Sequence, residues 1–188
     1  MKVKGKPYRS IWLEEDGKSV GIIDQTHLPH ELITITLKTS TDAAVAIQSM
    51  KVRGAPLIGA TAAWGIFLAA RENPTDKGLN AACKTLLSTR PTAVNLIWAV
   101  KLVKKQLLNL PLSQRAEKAK LLAQTICDKD IETCHAIGNW GVKVIRDIWE
   151  SQDKPYTVNI LTHCNAGWLA AVDWGTATAP IYAAHEQK

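Results

Sequence analysis

The chain has 188 residues, a formal net charge of +6, 46% hydrophobic residues and 21% charged residues. That composition belongs to a globular protein long enough to bury a core, and it excludes a disordered or fibrous polypeptide. The lysines and arginines are scattered along helical stretches instead of clustering with aromatics, so the positive charge does not point to a nucleic-acid partner.

The chain opens with strand signals. Residues 10–13 and 19–24 flank Glu14-Glu15-Asp16-Gly17, and Asp-Gly between two apolar runs marks a hairpin. In residues 32–37, Ile33, Ile35 and Leu37 alternate with Thr34 and Thr36, the period of a strand with one buried face. A small antiparallel sheet is therefore expected. MKVKGKPYRS holds no apolar run of the kind a secretion signal needs, and no segment approaches the roughly 20 apolar residues of a membrane span. No membrane partner is expected, and a reduced, cytoplasmic setting is the default.

Helical periodicity follows. Thr41-Asp42 is the expected cap of a helix with Ala43, Ala46, Ile47 and Met50 on one face. Residues 57–70 are almost wholly apolar, which predicts a helix buried on all sides. After the break at Glu72-Asn73-Pro74-Thr75, a helix is expected over 76–87. Another runs from Thr92 to about Leu108, with a stripe of Ile97, Val100, Lys104 and Leu107. A long helix spans 113–149, and Gly138 and Gly141 mark where it could break. Residues 151–155 read as a polar connector, 156–163 as a buried strand and 176–185 as a last helix. No internal repeat is visible.

One local device occurs twice. Arg53 stands just before Pro56, and Arg90 directly precedes Pro91. Each proline suits the first turn of a following helix, where its missing N–H would lack a partner anyway. The free N–H groups of that turn and the helix dipole attract an anion, and an arginine adds a fork of donors that fits phosphate. Gly54 lets the backbone approach a ligand closely, so Arg53-Gly54-Ala55-Pro56 reads as a phosphate cradle. Gly59 and Ala60 favour close packing of the helix behind it. The competing reading is two ordinary surface arginines beside proline breaks. Neither the Walker nor the Rossmann glycine pattern is present.

The expected strand 156–163 ends in His163-Cys164-Asn165. Ligands of α/β sheets sit beyond the carboxyl ends of the strands, so a thiol there can be a nucleophile, a proton donor or a charge stabiliser. The alternative is a buried free cysteine. His163 points to the opposite face of such a strand and reads as structural. Asp173 reads as a cap of the last helix. Cys83, Cys127 and Cys134 complete the thiols. No two cysteines have C-x-x-C spacing, so no zinc or other metal site is expected. Cys127 and Cys134 are seven residues apart, on one helix face, where small core residues belong.

Three long motifs, KVRGAPLIGATAAWG, TRPTAVNLIWA and LTHCNAGWLAAVDWGTATAPIYAAH, closely resemble those of methylthioribose-1-phosphate isomerases. These enzymes sit in a wider family with the regulatory subunits of translation initiation factor 2B and with ribose-1,5-bisphosphate isomerase. The resemblance implies an aldose–ketose isomerase of methionine salvage that converts 5-methylthioribose 1-phosphate to 5-methylthioribulose 1-phosphate, with no cofactor. It implies that Arg53, Gly54, Ala55 and Arg90 bind substrate and that Cys164 is the catalytic thiol. Because the anomeric carbon carries phosphate, the sugar cannot open freely to an aldehyde. The family chemistry is acid-assisted ring opening followed by hydrogen transfer between C1 and C2. The aspartate that family pairs with the cysteine, in an Asp-Asn-Met motif, and an Asn-Lys pair both stand further along than Lys188. The expectation is therefore the N-terminal half of such an enzyme, partnered by a C-terminal chain, by another copy of itself, or by both. A non-catalytic subunit like the initiation-factor relatives, or an inactive remnant, is the alternative.

The fold class expected on these grounds is α/β. Residues 1–150 form a mostly helical N-terminal domain with a small antiparallel sheet, and residues 155–188 begin a truncated Rossmann-like parallel domain.

Overall fold

The computed structural model describes residues 1–152 and 157–187. Two short strands, β1 (Lys2–Val3) and β2 (Lys6–Pro7), pair antiparallel at the start. A three-stranded antiparallel sheet follows in the order β3 (Ile11–Leu13), β4 (Val20–Asp24), β5 (Ile33–Leu37). The predicted hairpin is present, with Ile11 opposite Ile22 and Leu13 opposite Val20. Asp16 closes its turn by accepting from the N–H groups of Lys18 and Ser19 and from the Ser19 hydroxyl. β5 alternates as expected, but β4 is buried along its whole length and not on one face only. Val20 and Ile22 face the helical core, and the Trp12 indole lies over Gly21, where a Cβ would stand 2.2 Å from the ring.

Among the described residues six α-helices make up most of the structure: α1 (Ser40–Gln48), α2 (Ala55–Glu72), α3 (Asp76–Thr89), α4 (Val94–Leu108), α5 (Leu112–Ser151) and α6 (Ala179–Glu186). The cap of α1 is Thr39, two residues earlier than expected. Its hydroxyl accepts from the Asp42 N–H while the Asp42 carboxylate accepts from the Thr39 N–H, a reciprocal capping box. Met50 falls beyond the end of α1 with φ 58° and is exposed, so it does not share the buried face with Ala43, Ala46 and Ile47.

The fourteen residues from Leu57 to Ala70 are all buried. α2 is thus the central rod, packed against α1, α3, α4, α5 and β3. Trp64 and Phe67 meet edge to face with centroids 5.5 Å apart. Burying one such side chain contributes about 1.5–3 kcal/mol. The buried stripe of α4 is Leu96, Ala99, Val100, Val103 and Leu107, so Ile97 and Lys104 lie at its margins.

α5 runs unbroken through Gly138 and Gly141. Those glycines are approach points for α6. A Cβ at Gly141 would stand 2.3 Å from the Pro180 ring, and one at Gly138 would stand 3.1 Å from the Ala179 carbonyl oxygen. Cys127 and Cys134 are buried on the inner face of α5, as their spacing predicts.

Residues 157–163 form no ladder among the described residues, whereas a buried strand was expected there. A strand needs a paired neighbour for its N–H and C=O groups, and no described strand pairs with this stretch. Leu161 is 97% exposed as a result. The rest of the expected connector and Tyr156 lie outside the described residues. No described helix is long and apolar enough to cross a membrane.

Candidate functional site at the start of the central helix

The α2 N-terminus is a backbone feature first. Gly54 is its N-cap at φ 95°, a conformation that disfavours any side chain, and Pro56 stands in its first turn. The earliest N–H groups of a helix have no intrahelical acceptor, so the Ala55 and Leu57 amides point out of this end. Gly54 also abuts another segment: a Cβ built there would stand 2.4 Å from both the Cα and the carbonyl oxygen of Ala170. Ala170 closes a short 3-10 helix, Trp168–Ala170, in the segment that follows Cys164. The cradle and the thiol-bearing segment are therefore in backbone contact.

Side chains reinforce this junction. Arg53 donates from Nε to Gln25 Oε1 at 3.2 Å, and Gln25 Nε2 donates to the Leu169 carbonyl at 2.6 Å. Ser10 grips the same segment twice: its N–H donates to the Val172 carbonyl at 2.9 Å and its hydroxyl to the Trp168 carbonyl at 3.2 Å. From the α5 side, Asp130 accepts from the Val172 N–H at 2.8 Å. Burial pushes the Asp130 carboxyl above its usual range, and that single N–H bond offsets the push only in part.

The predicted site residues fall as follows. Arg53 and Ala55 are exposed, and only the Nε of Arg53 is hydrogen-bonded among the described residues. Its two terminal nitrogens are left for another partner. Arg90 is half-buried as the C-terminal cap of α3, and its side chain makes no hydrogen bond or ion pair among the described residues. α4 begins only at Val94 with Ala93 as its cap, so Pro91 stands outside its first turn and the expected pairing of an arginine with a proline-started helix holds for Arg53 but not for Arg90. The starts of α2 and α4 lie side by side, because a Cβ at Gly59 would come within 3.1 Å of the Asn95 carbonyl oxygen. This is the close packing that Gly59 suggested. Cys164 is the one exposed thiol, with φ 70°, a left-handed conformation uncommon for residues other than glycine. His163 and Asn165 are also exposed.

Asp173 does not cap α6. That position belongs to Thr178, which makes no side-chain cap bond. The Asp173 carboxylate instead accepts from the Trp174 N–H and pairs with the Met1 ammonium group. Sequence reasoning did not single out Gln25, Ser10 or Asp130. Among the described residues no three His, Cys, Asp or Glu side chains converge as metal ligands.

Comparison with known proteins decides the family. Residues 51–188, from the cradle to the last residue, match the model of the initiation factor 2 subunit family. The chain belongs to the initiation factor 2 subunit family. Within it, the chain is 52% identical over 190 residues to the methylthioribose-1-phosphate isomerase of Rhodospirillum rubrum, covering 99% of this chain and 49% of the relative. It is 54% identical over 187 residues to that of Sinorhizobium medicae, covering 100% of this chain and 51% of the relative.

Two crystal structures of this family superimpose closely. The 5-methylthioribose 1-phosphate isomerase of Pyrococcus horikoshii gives a TM-score of 0.82 at 34% identity, over 97% of this chain and 50% of that one. The delta subunit of translation initiation factor eIF-2B from A. fulgidus gives 0.80 at 34% identity, over 96% and 52%. The mostly helical fold with small antiparallel sheets is common to them. The chain spans about half the length of the curated relatives it matches.

Proposed function

We propose that this chain forms the N-terminal part of a methylthioribose-1-phosphate isomerase, an aldose–ketose isomerase that binds a sugar phosphate. Support comes from the 52% and 54% identity to enzymes of that name along the entire chain. The structural observation that carries it is the backbone contact between Gly54, at the anion-attracting end of α2, and Ala170, in the segment following Cys164. The free terminal nitrogens of Arg53 take the phosphate together with the Ala55 and Leu57 amides, and Arg90 adds charge from the end of α3. Cys164 is the catalytic thiol beside the reacting carbons, and Gly54 and Ala55 line the sugar. No cofactor enters this scheme.

The working protein in this reading is larger. Residues 1–150 are the N-terminal domain and residues 155–188 begin a Rossmann-like one. Ile160 and Leu161 stand 45% and 97% exposed. On α5, Trp140, Val144 and Ile148 form an exposed apolar stripe at helical spacing. A chain corresponding to the C-terminal half of the relatives covers these surfaces and supplies the general-acid aspartate, with or without a second copy of this chain. The site of action is the cytoplasm.

The test measures turnover of 5-methylthioribose 1-phosphate by the purified chain, alone and with the C-terminal half of the Rhodospirillum rubrum relative added in trans. Activity only in the mixture, abolished by Cys164→Ala, is the expected result. Unchanged activity of Cys164→Ala in the mixture would remove the thiol from the mechanism. A mixture that binds but never turns over would favour the non-catalytic subunit reading.

A further inference from the structure

We propose that Gln25 is a positioning residue that sets the Arg53 guanidinium relative to the segment carrying Cys164; this rests on the sugar-phosphate reading above.

Gln25 follows the end of β4 and is only 3% exposed. Its backbone N–H donates to the Lys51 carbonyl at 2.9 Å, tying the turn after β4 to the stretch that leads into α2. Lys51 Nζ reaches back to Asp24 at 3.4 Å, so the two stretches are joined twice before any ligand is considered. The Gln25 side chain then spans the remaining gap, to Arg53 on one side and to Leu169 on the other.

The orientation of this amide is forced. Arg53 can only donate and the Leu169 carbonyl can only accept, so Oε1 must face the first and Nε2 the second. A carboxylate offers no donor for Leu169, an aliphatic chain offers nothing, and asparagine is one methylene shorter. Only a glutamine completes both bonds at this reach.

The consequence concerns Arg53. It is exposed, and a long exposed side chain samples many rotamers. Holding Nε leaves both terminal nitrogens oriented together toward a phosphate and fixes that direction relative to Leu169. Leu169 is five residues after Cys164. The ligand's phosphate end and its reacting end are thus held in register by one buried side chain.

The test reads ligand protection of Cys164. Iodoacetamide labels the exposed Cys164, and 5-methylthioribose 1-phosphate bound beside it slows the labelling. The quantity compared is the half-protecting concentration at Cys164, mapped by peptide mass, in the wild-type chain, Gln25→Met, Gln25→Glu and Arg53→Ala, each mixed with the C-terminal half of the Rhodospirillum rubrum relative. Methionine keeps the shape but makes neither bond, so the concentration rises about tenfold, the loss of one hydrogen bond to a charged group. Glutamate still accepts from Arg53 and falls between wild type and methionine.

A residue that merely fills space predicts the opposite order. Methionine would then match wild type, and glutamate, as a buried carboxylate, would be worst. That reversed order overturns the positioning role while leaving the sugar-phosphate reading intact. Absence of any protection in the wild-type mixture overturns the reading itself and this role with it.

Discussion

Gly54 and Ala170 meet backbone to backbone, so closely that a Cβ on Gly54 would lie 2.4 Å from the Ala170 Cα. The contact joins the start of the central helix to the segment that presents the thiol. Gly54 also holds φ 95°, which a side chain resists at a cost of about 1–3 kcal/mol. Gly54→Ala therefore strains the cap of α2 and pushes the 168–172 segment off it. Thermal unfolding should show a lower Tm, and the half-protecting concentration of 5-methylthioribose 1-phosphate at Cys164 should rise steeply. A Gly54→Ala chain with both values unchanged would mean the two segments can part without consequence.

Arg53 and Arg90 should make separable contributions to the proposed phosphate site. Under the proposed function, Arg53→Ala should remove charge-assisted hydrogen bonding to phosphate and weaken binding by about 1.5–3 kcal/mol. Being exposed, Arg53 carries little of the fold, so the Tm should stay nearly constant. Arg53→Lys should recover only part of the loss, because an ammonium has no Nε for Gln25 and no planar fork. Arg90→Ala should weaken binding without altering the Gln25 bridge. Isothermal titration with 5-methylthioribose 1-phosphate measures all three. An Arg53→Lys chain equal to wild type would show that charge alone, without geometry, accounts for this residue.

What the sequence revealed was local. The hairpin, the alternation of β5 and the buried α2 all arise from neighbours close along the chain, and each is present. The Thr39 cap is legible too, because Thr39-x-x-Asp42 has the spacing of a capping box, although Thr41-Asp42 is the expected cap. What failed was non-local. Gly138 and Gly141 looked like a helix break because the sequence does not show α6 lying against them. Residues 156–163 read as a strand, but apolar patterning cannot supply the ladder partner that a strand requires.

The site divided in the same way. Arg53 and Arg90 announced themselves by their prolines, and Cys164 by its place at the end of an apolar run. Gln25 could not, since its acceptor on Leu169 is 144 residues away, and the Ser10 acceptor on Trp168 is 158 away. A lone glutamine or serine in a turn carries no signal of such a partner. The same holds for Asp130, which reads as one more polar residue on a long helix until Val172 is seen to donate to it.

The capping box of α1 gives a pH signature. Burial pushes the Asp42 carboxyl up, but the N–H groups of Lys38 and Thr39 and the Thr39 hydroxyl outweigh it and hold the carboxyl below the usual range. A depressed folded value means that its stabilisation is fully present above the unfolded pKa, about 3.9. It is lost as pH falls through the lower folded value. Asp24 behaves alike: burial raises it, and bonds from Thr26 and Lys51 bring it down further than burial lifts it. Urea midpoints should therefore change little from these groups between pH 7 and pH 5 and fall below about pH 4. Asp42→Asn should flatten part of that fall. Thr39→Ala should cost about 0.5–2 kcal/mol at neutral pH. An Asp42→Asn chain with the full acid slope would assign that slope elsewhere.

The four thiols should separate by reactivity, because attack on iodoacetamide requires the thiolate. Burial pushes Cys127 up to about 12, although the Trp64 Nε1–H that points at its sulfur from 3.3 Å works the other way. Burial likewise lifts Cys134 to about 11, with the charge of Asp130 adding to the effect, and raises Cys83. Only Cys164 is open to solvent. At about pH 8, near the ordinary thiol value, the folded chain should take up one adduct, mapped by peptide mass to Cys164, and the unfolded chain four. Cys164→Ser should take up none while folded. The same burial makes stability pH-dependent at the alkaline end. Thiols whose folded values are raised contribute fully below their unfolded value, and that contribution is lost as pH rises through the folded one. Urea midpoints should thus decline above about pH 9, and Cys127→Ala should reduce the decline by removing the most strongly shifted group. An adduct on Cys127 in the folded chain would mean that the face of α5 packed on Trp64 opens to solvent on the timescale of labelling, which the buried packing of Trp64 against Phe67 opposes.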